Sequence, residues 1–383
     1  MKVETAFVTD PELEDRFESH GNVAVEEVEL DEPKDHEVLI DIEACGVCHS
    51  DWHVAAGDAP MKHYPAAIGH EAAGTVEQVG DAVTHVEPGD SIVTSYIPCC
   101  GKCEPCSQGY QELCVRGQYL EKGPMMDGTF RYHRQEKEED IGQFVLLGVF
   151  SEKAVVHKDS VVPVLDHYPA EAACLTGCGV ATGFGAAANR ADIDAGATTV
   201  HFGFGGVGAS AVQGAKVSGA DDIIVVEPKD QRREWAEEMG ATRTVDPNEE
   251  DVLEVVDDVT WGAMAVHSFI TVDVTTSEMI GTALNTVGGR GETIMVAVAP
   301  GETDTIDFQG HGAGSVLGME KELKGTIYGG WSPNYAIPNL LKMYDNGTLP
   351  LDDFVSKTYD LDEINDAFDD MLKGNIIRGV VKP

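Results

Sequence analysis

The chain has 383 residues, 42% of them hydrophobic, enough for two or three folded domains with sizeable cores. Its 67 Asp and Glu stand against 26 Lys and Arg, a formal net charge of -41, so a phosphate backbone would be repelled and no nucleic-acid partner is expected. The acids are spread along the chain rather than gathered in a tail, which argues against a local calcium loop and toward a halophile-like surface, where high salt screens self-repulsion.

In chain order, the N-terminal run MKVETAFVTDPELEDRFE has acids where a secretory signal would need an apolar block. Residues 172–189 are uncharged but rich in Gly and Thr, without the continuous Leu/Ile/Val run of a membrane span. A cytoplasmic location and no membrane partner are expected. Up to about residue 179, short runs such as Val38-Leu39-Ile40-Asp41-Ile42 and turns such as Glu87-Pro88-Gly89-Asp90 predict a β-rich, loop-heavy domain.

Inside that domain the segment CGKCEPCSQGYQELC places Cys100, Cys103, Cys106 and Cys114 in the order C-x2-C-x2-C-x7-C. Four thiolates so close can surround one tetrahedral zinc, and a four-cysteine site is closed and therefore structural. Disulfide pairing is the alternative, but neighbours separated by two residues would be strained and nothing indicates an oxidising compartment. A second constellation joins Cys48-His49-Ser50-Asp51-Trp52-His53, Gly69-His70-Glu71-Ala72-Ala73-Gly74 and Thr176-Gly177-Cys178-Gly179. Two thiolates and one imidazole hold zinc with a fourth position open for substrate, where the metal can act as a Lewis acid. Taken singly, Cys178 reads as a buried cysteine, His70 as a core histidine and Asp51 as a turn carboxylate.

From about residue 180 to 327, short apolar strands alternate with helical segments, the rhythm of a parallel sheet. Gly203-Phe204-Gly205-Gly206-Val207-Gly208 follows the strand TTVHF and opens a helix, so that a pyrophosphate could lie at the helix N-terminus. The next strand ends in Glu227, whose carboxylate can bind the adenosine ribose hydroxyls and repel a 2'-phosphate, favouring NAD over NADP. Lys229, Arg232 and Arg233 stand close enough to soften that preference. Toward the C-terminus, Leu361, Ile364, Phe368 and Leu372 predict an apolar helix face that ends at Gly374, followed by the strand IIRGVV.

The blocks GVCHSD, GHEAAG, CGKCEPC, GCGVATG and GFGGVG, in this order, resemble the zinc-dependent medium-chain alcohol dehydrogenases, over a span from about Val38 to Arg378. The resemblance implies that Cys48, His70 and Cys178 bind the catalytic zinc, that Asp51 orients His70, and that Glu71 takes part in ligand exchange. It implies that Ser50 takes the alcohol proton and His53 passes it on. It also implies cofactor contacts from His49 and Arg378 to the pyrophosphate, Thr182 to the nicotinamide and Arg232 to the adenosine ribose, and an alcohol pocket lined by Tyr96 and Phe150. Cys48 is then the ligand of the C-x-x-C pair, with Cys45 a buried neighbour. Cys100 is preferred to Cys99 because the latter would lengthen the first gap of the cluster, and Cys174 remains unassigned.

The segment Pro124–Phe150 is longer than in short tetrameric relatives and resembles the longer, often dimeric branch, so a homodimer or a homotetramer is expected. The implied fold is α/β: a GroES-like catalytic domain from residues 1–179 and 328–383, with a structural-zinc lobe around 95–118, and a Rossmann domain from 180–327 with a doubly wound parallel sheet. The implied reaction is reversible hydride transfer between an alcohol and NAD, giving an aldehyde or ketone, with one catalytic and one structural zinc per chain. Two rivals share the chemistry, a thiol-dependent formaldehyde dehydrogenase and an oxidoreductase with tightly bound NAD. A non-catalytic NAD- and zinc-binding redox sensor is the rival of another class, disfavoured by the intact proton-relay residues.

Overall fold

The computed structural model describes residues 1–9, 11, 23–57, 59–297 and 315–383. Of the N-terminal run 1–18, on which the expectation of no signal segment rested, Asp10 and residues 12–18 lie outside them. Among the described residues, no helix is long and apolar enough to cross a membrane. The chain divides into two compact units, one made of Met1–Cys178 and Ser332–Pro383, the other of Gly179–Trp331.

The first unit is β-rich. Strands Lys2–Val8 and Val23–Leu30 pair antiparallel from Lys2 opposite Glu29 to Val8 opposite Val23, and with Tyr132–Arg134, Glu139–Gln143 and Ala66–Ala67 they close a barrel. A seven-stranded sheet is built around Glu37–Gly46, which is flanked by Ala72–Val79 and Lys153–His157. Val38, Leu39 and Ile40 are all buried instead of alternating, so both faces of this strand are covered. The C-terminal strand Arg378–Lys382 joins the same sheet opposite Gly46 and Cys45, so both ends of the chain build this unit. Helix Ile364–Lys373 starts behind a capping box of Asp360 and Glu363 and stops at left-handed Gly374. It turns Ile364, Phe368 and Met371 inward; the expected Leu372 is only half-buried, since the helical stripe passes through its neighbour.

The second unit holds a six-stranded sheet ordered Arg243–Val245, Asp222–Val226, Thr198–Phe202, Ala265–Ile270, Val287–Met295, Glu322–Gly325, every pair parallel. Numbered along the chain this is the order 3-2-1-4-5-6 of a dinucleotide-binding sheet. Its edge toward Ser332 lies beyond residue 327, because the turn Tyr328–Gly330 and Trp331 pack on the helix Gly179–Gly185. Trp331 donates its indole N–H to the Ala181 carbonyl at 3.1 Å and stacks on Phe184 with ring centroids 6.0 Å apart.

His201 sits in the middle strand of this sheet, fully buried, 3.0 Å from the Thr199 hydroxyl and stacked on Phe269. Burial pushes its pKa down to about 3, so it stays neutral in the folded chain. A depressed histidine pKa means that the unfolded chain binds the extra proton first, so stability is full above about pH 6.5 and is lost as pH falls toward the folded value. The loss attributable to His201 is about 1.4 kcal/mol per pH unit across that window. His201→Asn, which cannot titrate, should flatten the acid limb of the unfolding midpoint measured between pH 7 and pH 4. An unchanged limb would contradict this account.

Candidate functional site

All nine cysteines are free, so the disulfide alternative for the cysteine segment is not realised. The sulfurs of Cys100, Cys103, Cys106 and Cys114 lie within 4.8 Å of one another. Cys103 and Cys114 are 3.8 Å apart, and a tetrahedron with zinc–sulfur bonds of about 2.3 Å has an edge of about 3.8 Å. Backbone amides also aim at sulfur: Cys103 N–H lies 3.4 Å from Cys100 Sγ and Cys100 N–H 3.5 Å from Cys114 Sγ. The Val115 and Cys106 amides pull the Cys103 pKa down to about 6, while burial and the hydrogen bond to Cys103 push Cys106 up to about 12. The donor set, its spacing and its amide partners all fit a zinc ion. Cys99 stands outside the set, with its thiol 3.5 Å from the Gln111 carbonyl oxygen and its pKa raised by burial.

The second cluster brings Cys48, His70, Glu71 and Cys178 within the same 4.8 Å span, every one buried. Cys48 caps the short helix His49–Ala56, His70 and Glu71 precede the strand Ala72–Val79, and Cys178 follows the turn Cys174–Gly177. Asp51, fully buried, accepts the Gly69 amide at 2.7 Å and sits 3.0 Å from His70 Nδ1. That bond fixes the ring so that Nε2 lies on the Glu71 side, 3.8 Å from Oε1. Burial alone would lower the His70 pKa, but the Asp51 carboxylate and the Cys48 thiolate outweigh it and hold the pKa well above the usual value. Cys48 is held well below the usual thiol range by a hydrogen bond from Cys178 and by the His70 charge, against the cost of burial. Cys178 is correspondingly raised, by its hydrogen bond to Cys48 and by burial. Glu71 Oε1 and Asp51 Oδ2 have no hydrogen-bond partner among the described residues. A buried carboxylate oxygen left open beside two sulfurs and a fixed imidazole fits a metal ion with one exchangeable position.

Arg378 pairs with Glu71 through Nη2, and the Glu71 pKa, raised mainly by burial and opposed by Arg378, settles at about 7. Arg378 keeps its Nε without a partner among the described residues. Ser50 Oγ lies 3.7 Å from Cys48 Sγ, and buried His53 follows three residues later on the same helix, so the two share one helical face. His49 is half-exposed at the start of that helix. Tyr96 presents its ring edge-on to His70 at 5.9 Å. Phe150 does not: it is wholly buried and packs edge-on against Phe368 in the core. Phe144, not singled out from the sequence, stands edge-on against His70 at 5.6 Å and 89°. The expectation missed it because the intervening turn departs from any periodic pattern.

In the second unit, Gly203 has φ +93°, and a Cβ at Gly208 would lie 2.2 Å from the Gly203 carbonyl oxygen, so both positions need glycine. A Cβ at Gly205 would meet no atom within 4 Å, which leaves open space in front of the loop. Gly206 and Val207 begin the helix Gly206–Ser218, whose first amides are free to face an anion. Glu227 accepts the Phe204 amide at 3.0 Å and the Lys229 amide at 3.1 Å, so its carboxylate is tied to the glycine loop. Arg232 Nη1 is 3.9 Å from Glu227, while Arg233 is occupied by the Glu227 carbonyl, Asp230 and Asp246. Thr182 Oγ1 and Arg232 Nε are buried without partners among the described residues. Open space at the loop, an anchored carboxylate and these unpaired polar atoms fit a dinucleotide.

Residues 34–166 match the model of the alcohol dehydrogenase GroES-like domain, and residues 206–346 match that of the zinc-binding dehydrogenases. The chain is 42% identical to an NDMA-dependent alcohol dehydrogenase of Amycolatopsis methanolica, over 93% of this chain and 94% of that one. It is 37% identical to an S-(hydroxymethyl)glutathione dehydrogenase of Saccharomyces cerevisiae, over 96% and 94% of the two chains. Among solved structures, benzyl alcohol dehydrogenase of Acinetobacter calcoaceticus superimposes with a TM-score of 0.89 at 28% identity, covering 100% of this chain and 99% of that one.

Proposed function

Since the chain belongs to the zinc-dependent medium-chain alcohol dehydrogenases and is an alcohol dehydrogenase with a GroES-like and a Rossmann-type domain, we propose that it oxidises its alcohol with NAD and carries two zinc ions per chain. The observation that carries this reading is the buried Cys48, His70, Glu71 and Cys178 cluster with Asp51 behind the imidazole. Zinc held by Cys48, His70 and Cys178 would supply Lewis acidity toward an alcohol oxygen, and NAD would supply the hydride acceptor.

The residues of the chain do the rest. Asp51 keeps His70 in one tautomer and orientation, and Arg378 keeps the buried Glu71 carboxylate compensated. Ser50, beside Cys48, is placed to accept the alcohol proton, and His53 on the same helical face to pass it outward. Gly203, Gly205, Gly206, Val207 and Gly208 cradle the pyrophosphate, Glu227 binds the adenosine ribose, and Thr182 and Arg232 offer the unpaired donors. Cys100, Cys103, Cys106 and Cys114 hold the structural zinc. The chemistry needs no membrane or nucleic acid, and a cytoplasmic homo-oligomer is its natural setting.

Initial rates for a panel of primary, secondary and aromatic alcohols, with NAD and with NADP, at low and at molar KCl, test the reading. NAD should be preferred, because Glu227 repels a 2'-phosphate and Arg233 is already engaged. Glu227→Ala should raise the KM for NAD roughly ten- to a hundred-fold while changing kcat little, since a lost ribose contact of about 1.5–3 kcal/mol is uniform binding. A strong preference of the parent for NADP would overturn the assignment. Two arms address the relatives: NDMA as acceptor without added NAD, and formaldehyde with and without glutathione. A rate that needs NDMA favours a tightly held nicotinamide, and one that needs glutathione favours a thiol-adduct substrate.

A further inference from the structure

The backbone beside the metal cluster adopts a conformation that its residues resist. Val145 has φ +49° and ψ +32°, Leu146 φ +64° and Gly148 φ +62°, so left-handed residues crowd one short turn. For a β-branched residue that is an outlier, and such strain persists only where the surroundings over-determine it. Here they do. The Gln143 side chain, 1% exposed, donates its amide to the Leu147 carbonyl at 2.7 Å and to the Val155 carbonyl at 3.0 Å, spanning the turn. Val145 N–H donates to the Leu120 carbonyl at 2.9 Å, and Leu147 N–H to the Phe144 carbonyl at 2.9 Å. Beyond the turn, Val149 N–H donates to the Gly69 carbonyl, and Gly69 in turn donates to Asp51, the partner of His70. The residue this arrangement delivers is Phe144, edge-on to His70 as Tyr96 is.

We propose that Gln143 is a positioning residue: with the left-handed Val145–Leu146 turn it clamps the Phe144 ring against His70 and thereby sets how bulky an alcohol the metal cluster accepts. The inference rests on the reading of Cys48, His70 and Cys178 as the catalytic zinc centre. A ring held by backbone strain and two side-chain hydrogen bonds cannot swing aside for a branched or aryl group next to the carbinol carbon. A ring on a relaxed loop can. Gln143 touches neither substrate nor metal; it acts through the turn.

The test uses the full-length, zinc-loaded enzyme and compares kcat/KM for a short primary alcohol and a bulky branched one in the parent, Gln143→Leu, Phe144→Ala and the double variant. Gln143→Leu keeps the volume and removes both donors. It should raise the bulky-to-short ratio about ten-fold, in the same direction as Phe144→Ala and through KM more than kcat. In the Phe144→Ala background it should change the ratio no further, because the ring it positions is gone. A crystal structure of Gln143→Leu should show the ring displaced from His70 by roughly 1 Å or more, with the metal ligands in place. Should that variant not fold, Leu146→Gly, which relieves the left-handed conformation, should shift the ratio in the same direction. An unchanged ratio with a lowered unfolding midpoint, or an equal shift in the double variant, would show that the clamp is structural only. If the parent oxidises no alcohol although zinc is bound, the underlying reading fails instead, and the ring position in the variant crystal decides the clamp.

Discussion

Cys178→Ser is expected to cut alcohol oxidation by roughly a thousand-fold or more and to lower zinc content from two ions per chain to one. The buried cluster has two sulfurs and one imidazole to offer, and Asp51 supports only the imidazole. A serine hydroxyl is a poor substitute for thiolate, and Cys48 and His70 alone leave two of the three ligands that a catalytic zinc site needs, too few to keep the ion. Losing a Lewis acid worth about 4 kcal/mol of barrier lowering corresponds to about three orders of magnitude in rate. The cluster of Cys100, Cys103, Cys106 and Cys114 shares no residue with the mutated site and should keep its zinc. Full activity with two zincs in the variant would remove Cys178 from the ligand set.

Cys103→Ala should act the other way round, on stability first. The lobe that carries the four cysteines has little core of its own: Tyr110, Leu113 and Val115 are 56%, 54% and 50% exposed. With these apolar side chains in solvent, its shape would depend on sulfurs gathered round a metal and on a few turns. Structural zinc contributes binding energy directly to folding, so a loss of about 5 kcal/mol, or roughly 6 °C in unfolding midpoint, is expected for a chain of this size. Turnover per catalytic zinc in the folded fraction should remain within about three-fold of the parent. Thermal unfolding followed alongside zinc content checks both statements, and an unchanged midpoint with one zinc missing would contradict the bracing role.

Much of this was legible in the sequence where chemistry dictates spacing. Cys100 to Cys114 could be recognised because one tetrahedral ion limits how far apart four sulfurs can be. Gly203 and Gly208 could be recognised because a close backbone approach leaves room for no other side chain there. Glu227 stood out by ending the second strand of the parallel sheet. What escaped depended on tertiary packing. Trp331 belongs with the second unit because its indole reaches Ala181 and Phe184, partners far away in sequence. Phe144 was not singled out as a neighbour of His70, because it leads into a turn with three nearby positive φ values, and Val145 and Leu146 carry no sequence signal for that geometry. The Glu71 and Arg378 pairing, between residues from opposite ends of the chain, followed only from the C-terminal strand docking beside Gly46 and Cys45.

The central claim is that alcohol oxidation depends on a zinc held by Cys48, His70 and Cys178. Its most direct test is to measure zinc content and initial alcohol-oxidation rate on the same samples as a chelator withdraws metal from the parent enzyme. Activity should fall in proportion to the loss of one of two zincs and return when zinc is restored, with the Cys178→Ser variant starting at one zinc and about a thousand-fold or more below the parent rate. Undiminished oxidation after both zincs are gone would contradict the account.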